Sequence, residues 1–259
     1  SADFVKNANV SGMAAYEALC KEAETDYQGF WGRLAKELIT WKTPFTKVLD
    51  ESNAPFFKWF EDGTLNVSYN CLDRNVERGL GDKTAIIFEA DDGAVTKVTY
   101  RQMLAKVCQL ANALKARGVK KGDRVLIYMS MSVEGVAAMQ ACARIGAIHS
   151  VVFGGFASVS LASRIDDAEP VLIISADAGS RGGKVVPYKP LLDEAISLSA
   201  HKPAKVLMVD RGLAPFRPVA GRDEDYAAWR EQHAGTEVPC EWVDSTHPSY
   251  TLYTSGTTG

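Results

Sequence analysis

The chain has 259 residues, 46% of them hydrophobic and 24% charged, with a formal net charge of −3 and a pI near 5.9. That length allows one large domain or two small ones, the composition is that of an ordinary soluble globular protein, and the acidic balance argues against a general binder of nucleic acid. Five scattered cysteines (Cys20, Cys71, Cys108, Cys142, Cys240) without a CxxC spacing predict reduced thiols in a cytoplasmic protein, four histidines without an HxH or HxxxH spacing give no metal motif, and no apolar run reads as a membrane span or a signal peptide.

Residues 1–83 read differently from the rest and are expected to form an N-terminal extension that packs on a main domain. Asp26 is placed to cap a helix whose apolar positions, Tyr27, Phe30, Trp31, Leu34 and Leu38, share one face. An irregular, aromatic-rich stretch follows, with Trp41, Phe45, Phe56, Phe57, Trp59 and Phe60 broken by Pro44, Pro55 and Gly63. Aromatic rings bury large areas, so packing is the expected role of this stretch. Residues 70–74 are read as the start of another short helix.

Residues 84–259 are expected to form the first part of a large domain. Residues 84–90 and 94–99 read as a hairpin around Asp91-Asp92-Gly93. Thr99 and Gln102 then form a capping box for a helix with Leu104, Val107, Ala111 and Leu114 on its inner face, stopped near Gly118. A regular alternation follows. Strands are predicted at 124–129, 148–153, 171–175, 205–209 and 250–253, and helices at 133–145, 158–167, 191–198 and 223–233. Unbroken apolar runs separated by helices indicate an α/β fold, a mostly parallel doubly wound sheet with flanking helices, preceded by the helical and aromatic-rich extension. Such sheets bind ligands at the carboxyl ends of their strands.

Three loops after strands therefore stand out. Phe153-Gly154-Gly155-Phe156 permits close approach of backbone to a ligand, or simply a tight turn. In the second, Arg181 and Lys184 flank Gly182 and Gly183. Two cations on a bendable backbone suit a phosphate group, although a solvated basic loop has the same composition. The third comprises Thr254, Ser255, Gly256, Thr257, Thr258 and Gly259. Glycines that turn N–H groups inward, with hydroxyls as added donors, suit an anion nest, and a flexible tail is the alternative. Neither GxxxxGK[ST] nor GxGxxG occurs, which disfavours a P-loop NTPase and a Rossmann dehydrogenase.

Taken together, these residues resemble the adenylate-forming enzymes, and among them the AMP-forming acetyl-CoA synthetase branch. Tyr253-Thr-Ser-Gly-Thr-Thr-Gly259 is similar to the start of the family's phosphate loop. Lys58-Trp-Phe-Glu-Asp-Gly63, Asn66-Val-Ser-Tyr-Asn-Cys-Leu-Asp-Arg74 and Val152-Phe-Gly-Gly-Phe156 resemble stretches of that branch, as does the loop holding Arg181 and Lys184. Asn75 stands where the branch has His, Lys184 where it has Arg, and His247 where an acidic residue is common. The resemblance implies a ligase that makes an acyl-adenylate from ATP and acetate and then passes the acyl group to CoA, with Mg²⁺ as the metal; a propionate ligase and a non-catalytic nucleotide- or CoA-binding module are the alternatives. It also implies that residues 254–259 hold the outer phosphates of ATP, that Arg181, Gly182, Gly183, Lys184, Gly154 and Gly155 line the CoA site, and that no catalytic residue or metal ligand falls within this N-terminal part. The 259 residues alone are then expected to be inactive. The implied partners are small molecules, acetate, ATP and CoA, with no nucleic acid and no membrane.

Overall fold

A computed structural model describes residues 2–254. The chain divides into two compact units, one made of the residues up to Leu65 with Trp242–His247, the other of Asn66–Glu241 with the segment from Pro248.

The smaller unit begins with helices Ala2–Asn7 and Gly12–Thr25, neither of which was expected and neither of which buries a residue. Helix Tyr27–Leu38 forms as predicted, and the Asp26 carboxylate accepts the Gly29 N–H at 2.9 Å. The aromatic stretch packs on itself, with ring centroids 4.9 Å apart for Trp41 and Phe45 and 4.5 Å for Phe45 and Phe60. Phe56 and Phe57 remain exposed.

The larger unit is built on a five-stranded parallel sheet. Its strands are β1 (Arg124–Met129), β2 (Ile148–Phe153), β3 (Leu172–Ala176), β4 (Lys205–Val209) and β5 (Asp223–Asp225), in the order β5-β4-β3-β1-β2. Val125, Leu126, Ile127, Ile173, Ile174, Val206 and Leu207 are buried, as the unbroken apolar runs required. The flanking helices are α1 (Tyr100–Ala116), α2 (Val133–Arg144), α3 (Ser158–Ala168), α4 (Tyr188–Leu198) and α5 (Tyr226–Glu231). Helices α2 and α3 carry the chain in opposite directions along the sheet, so right-handed crossovers place them on opposite faces.

The helix ends follow from local chemistry. Thr99 and Gln102 form the expected capping box on α1, and Ser132 caps α2. At the end of α1, the Val119 N–H reaches the Leu114 carbonyl at 3.1 Å around Gly118, which has φ 87°. Ala147 and Cys142 repeat that closure around Gly146 after α2. Helix α4 starts three residues earlier than the expected 191, since Pro190 falls in the first turn, where its missing N–H has no helical partner to lose.

Two predicted elements differ. Residues 223–233 were expected to be one helix; instead Asp223–Asp225 adds a strand to β4, and Asp225 caps α5 through the Ala228 N–H at 2.6 Å. Three consecutive acidic residues have little strand propensity of their own. They are held by Lys205 on Glu224 at 2.8 Å and by Lys189 on Asp223 at 3.0 Å. Residues 250–253 do not form a regular strand. Tyr250 makes one parallel bridge to His149, with the Thr251 N–H on the His149 carbonyl at 2.9 Å.

Candidate functional site

Strands β1 and β3 are neighbours, yet the chain leaves β1 for β2 on one side and β3 for β4 on the other. The carboxyl ends of β1 and β3 therefore flank the point where ligands bind in sheets of this kind. The loops following β2, β3 and β4 share this edge.

After β3 the chain makes a hairpin that the sequence presented as a loop. Ala178–Arg181 pairs antiparallel with Lys184–Pro187, and Arg181 is the direct partner of Lys184. Gly182 (φ 58°) and Gly183 (φ 75°) form the two-residue turn, a geometry that only residues tolerant of positive φ accept at both positions. Directly paired residues project from the same face, so the Arg181 and Lys184 side chains leave the hairpin together. Both are exposed, and neither has a carboxylate within 4.0 Å among the described residues. Like charges facing one another across a strand pair are destabilising, and an anion between them removes that cost. The Arg181 guanidinium lies 5.6 Å from the Phe153 ring centroid.

Phe153 ends β2 and opens the 153–156 turn. Gly155 has φ 104°, and its N–H donates to the Tyr128 hydroxyl oxygen at 3.3 Å, while that hydroxyl donates to the Phe156 carbonyl at 3.2 Å. Burial pushes the Tyr128 phenol above its usual range, which keeps the proton that this second bond needs. The Phe156 ring carries the Arg164 guanidinium 4.7 Å from its centroid, and the same guanidinium lies 5.2 Å from the Tyr253 ring. The Tyr253 hydroxyl donates to Asp167 at 2.6 Å; burial and that carboxylate both raise the phenol's pKa. Tyr253, which precedes Thr254, is thus joined through Arg164 to the turn that holds Gly154 and Gly155. Ser255, Gly256, Thr257, Thr258 and Gly259 lie outside the described residues.

The sequence did not single out the groups that tie these loops together. Asp177 follows β3 and is 1% exposed. Its carboxylate accepts three backbone N–H groups of the loop after β4: Arg211 at 3.1 Å, Leu213 at 2.7 Å and Ala214 at 3.0 Å. Its carbonyl accepts the Tyr188 N–H at 2.9 Å, which brings the far end of the hairpin back to its start. Arg211 reaches the Ser130 hydroxyl after β1 at 2.7 Å and the Ala178 carbonyl at 3.3 Å. A lone Asp after an apolar strand was the available sign. Among the described residues there is no group of three or more His, Cys, Asp or Glu side chains arranged to hold a metal ion.

Comparison with known proteins gives this geometry a context. Residues 72–259 match a family model described as AMP-binding enzyme, and residues 16–71 match one described as acetyl-coenzyme A synthetase N-terminus. The whole chain is 58% identical to an acetyl-coenzyme A synthetase of Cupriavidus metallidurans, and 99% of it is 56% identical to one of Thiobacillus denitrificans. Among solved structures, the acetoacetyl-CoA synthetase from Streptomyces lividans aligns over the whole chain with a TM-score of 0.82 and 25% identity. In each case the chain spans 39% of the other protein's length. The motifs of the 153–156 turn, the cationic hairpin and the run into residue 254 thus sit in a matched family background, and the chain belongs to the AMP-binding enzymes.

Proposed function

We propose that the protein to which these residues belong is an AMP-forming acetate–CoA ligase. The acetate carboxylate attacks the α-phosphorus of ATP and pyrophosphate leaves; the CoA thiol, losing its proton, then attacks the acyl carbon of acetyl-adenylate and AMP leaves. In this scheme Arg181 and Lys184 grip the phosphorylated nucleotide end of CoA. Gly182 and Gly183 keep the hairpin tip narrow, and Gly154 and Gly155 bring the neighbouring turn close to it. Residues 254–259 take the outer phosphates of ATP. Mg²⁺ supplies charge neutralisation to departing pyrophosphate, and no ligand for it is assigned among the described residues. The small-molecule partners are acetate, ATP and CoA, and the reaction is assigned to the cytoplasm; no described helix is long and apolar enough to cross a membrane.

The observation that carries this reading is the pair of exposed cations, face to face at the hairpin tip and without an acidic partner among the described residues. A solvated basic loop has no need to hold Arg181 and Lys184 in register on one face. Because Arg presents a planar fork and Lys a point charge, Arg181 is the stronger of the two contacts. The test is Arg181→Ala in the full-length enzyme. A lost charge-assisted contact is worth about 1.5–3 kcal/mol, so the KM for CoA rises about ten- to a hundredfold. Pyrophosphate exchange into ATP, which needs no CoA, stays as in the parent. Equal loss in both measurements removes Arg181 from the CoA site.

A further inference from the structure

The two loops assigned to CoA are not independent. Tyr188 opens helix α4, is 4% exposed, and lies against both of them. A Cβ placed on Gly179, in the first strand of the hairpin, meets the Tyr188 hydroxyl at 1.8 Å; one placed on Gly154, in the turn after β2, meets the same ring at 2.6 Å. Neither glycine has a positive φ, so backbone conformation does not demand glycine at 154 or 179. The tyrosine ring demands it. The ring lies 5.3 Å from that of Tyr128, whose hydroxyl holds Gly155 and Phe156.

We propose that Tyr188 is a positioning residue for CoA: wedged between Gly154 and Gly179, it fixes the separation of the 153–156 turn and the hairpin that carries Arg181 and Lys184. The inference rests on the CoA reading of that hairpin and adds to it what holds the two loops in register. Tyr188 touches no reacting atom. It acts through the two backbones pressed against its ring.

The test is a double-mutant cycle in the full-length enzyme, with Arg181→Ala as reference. Gly179→Ala forces the hairpin off the ring and raises the KM for CoA about tenfold or more, the scale on which small displacements of a contact act, with pyrophosphate exchange unchanged. Tyr188→Leu removes the ring's far end while keeping an apolar side chain, and also raises the KM for CoA. In the Tyr188→Leu background Gly179→Ala then costs little, because the atoms it would strike are gone. If Tyr188→Leu does not yield folded protein, the pair Gly154→Ala and Gly179→Ala runs the same cycle from the other side, since both act on one ring and their effects are then non-additive. Additive effects in the cycle, or pyrophosphate exchange falling together with CoA use, overturn the assignment of Tyr188. If Arg181→Ala itself leaves the KM for CoA unchanged, the site reading fails first.

Discussion

Two sets of cations in the larger unit have opposite surroundings. Lys189 is 3% exposed, with Asp193 at 2.5 Å and Asp223 at 3.0 Å; Arg222 meets Asp223 at 2.6 Å and also pairs with Asp193. Two positive and two negative groups cancel there. Arg144, further off, is handled alike, with both Asp73 oxygens at 2.7 and 2.8 Å and the Val238 carbonyl at 2.6 Å. Arg181 and Lys184 are exposed and face one another. A buried charge is tolerated only when paired, so the first set belongs to the architecture. An exposed like-charge pair held in register raises the energy of the empty hairpin, and a bound anion lowers it. On the proposed reading, pairing rather than charge itself separates structural cations from binding ones.

The strongest way to break that distinction is at Lys189. Lys189→Met leaves Asp193 and Asp223 with Arg222 alone, and removing one member of a buried ionic set costs about 3–5 kcal/mol. Denaturant unfolding shows that loss, while the KM for CoA of the folded enzyme stays within about twofold, since a side chain outside the site seldom moves it further. A stability change below about 1 kcal/mol, the size expected of a solvated pair, erases the contrast.

The hairpin predicts the converse. Arg181→Ala with Lys184→Ala raises the KM for CoA at least as far as the single substitution, yet shifts stability by only about 0.5 kcal/mol, as exposed substitutions do. The smaller step is Lys184→Arg. It keeps the charge and adds a planar fork, so CoA binding tightens by less than about tenfold, one charge-assisted hydrogen bond or less, and unfolding is unaffected.

His149 sharpens the same point with a half-buried group whose Nδ1 is unpaired among the described residues. Burial lowers its pKa below the ordinary histidine range. The folded state therefore prefers the neutral ring. Its contribution is present above the unfolded value, about 6.5, and is lost as pH falls through the lower folded value. Thermal unfolding followed from about pH 7 to 5, through and below the ordinary histidine titration, shows stability falling, and His149→Phe flattens that fall.

Much of the sheet was readable because its strands are dry on both faces. The limits of β1, β2 and β4 coincide with the apolar runs at 124–129, 148–153 and 205–209, and Thr99 and Ser132 mark their helices through side-chain caps. Reading failed where partners far along the chain decide. Asp223–Asp225 is a strand because Lys205 and Lys189 answer its charge. Residues 250–253 have strand-forming side chains but, among the described residues, one bridge, at His149. At the candidate site, Arg181 and Lys184 were evident from composition, whereas their pairing came from a Gly-Gly turn that reads equally well as a loose loop. Tyr188 and Arg211 were invisible, and Asp177 showed only as a lone acid after an apolar strand, because their roles arise across strands β1, β3 and β4. Gly154 looked like a position for close approach, and the group that approaches it in the fold is Tyr188.

If the exposed Arg181–Lys184 face, without a carboxylate partner among the described residues, binds the phosphorylated nucleotide end of CoA, then comparing CoA with its 3′-dephospho analogue tests it most directly. In the full-length enzyme, kcat/KM for the two thiols is measured before and after Arg181→Ala with Lys184→Ala. The parent strongly prefers CoA and the double variant has lost most of that preference, so that removing the phosphate and removing the cations are non-additive. An unchanged preference in the variant contradicts it.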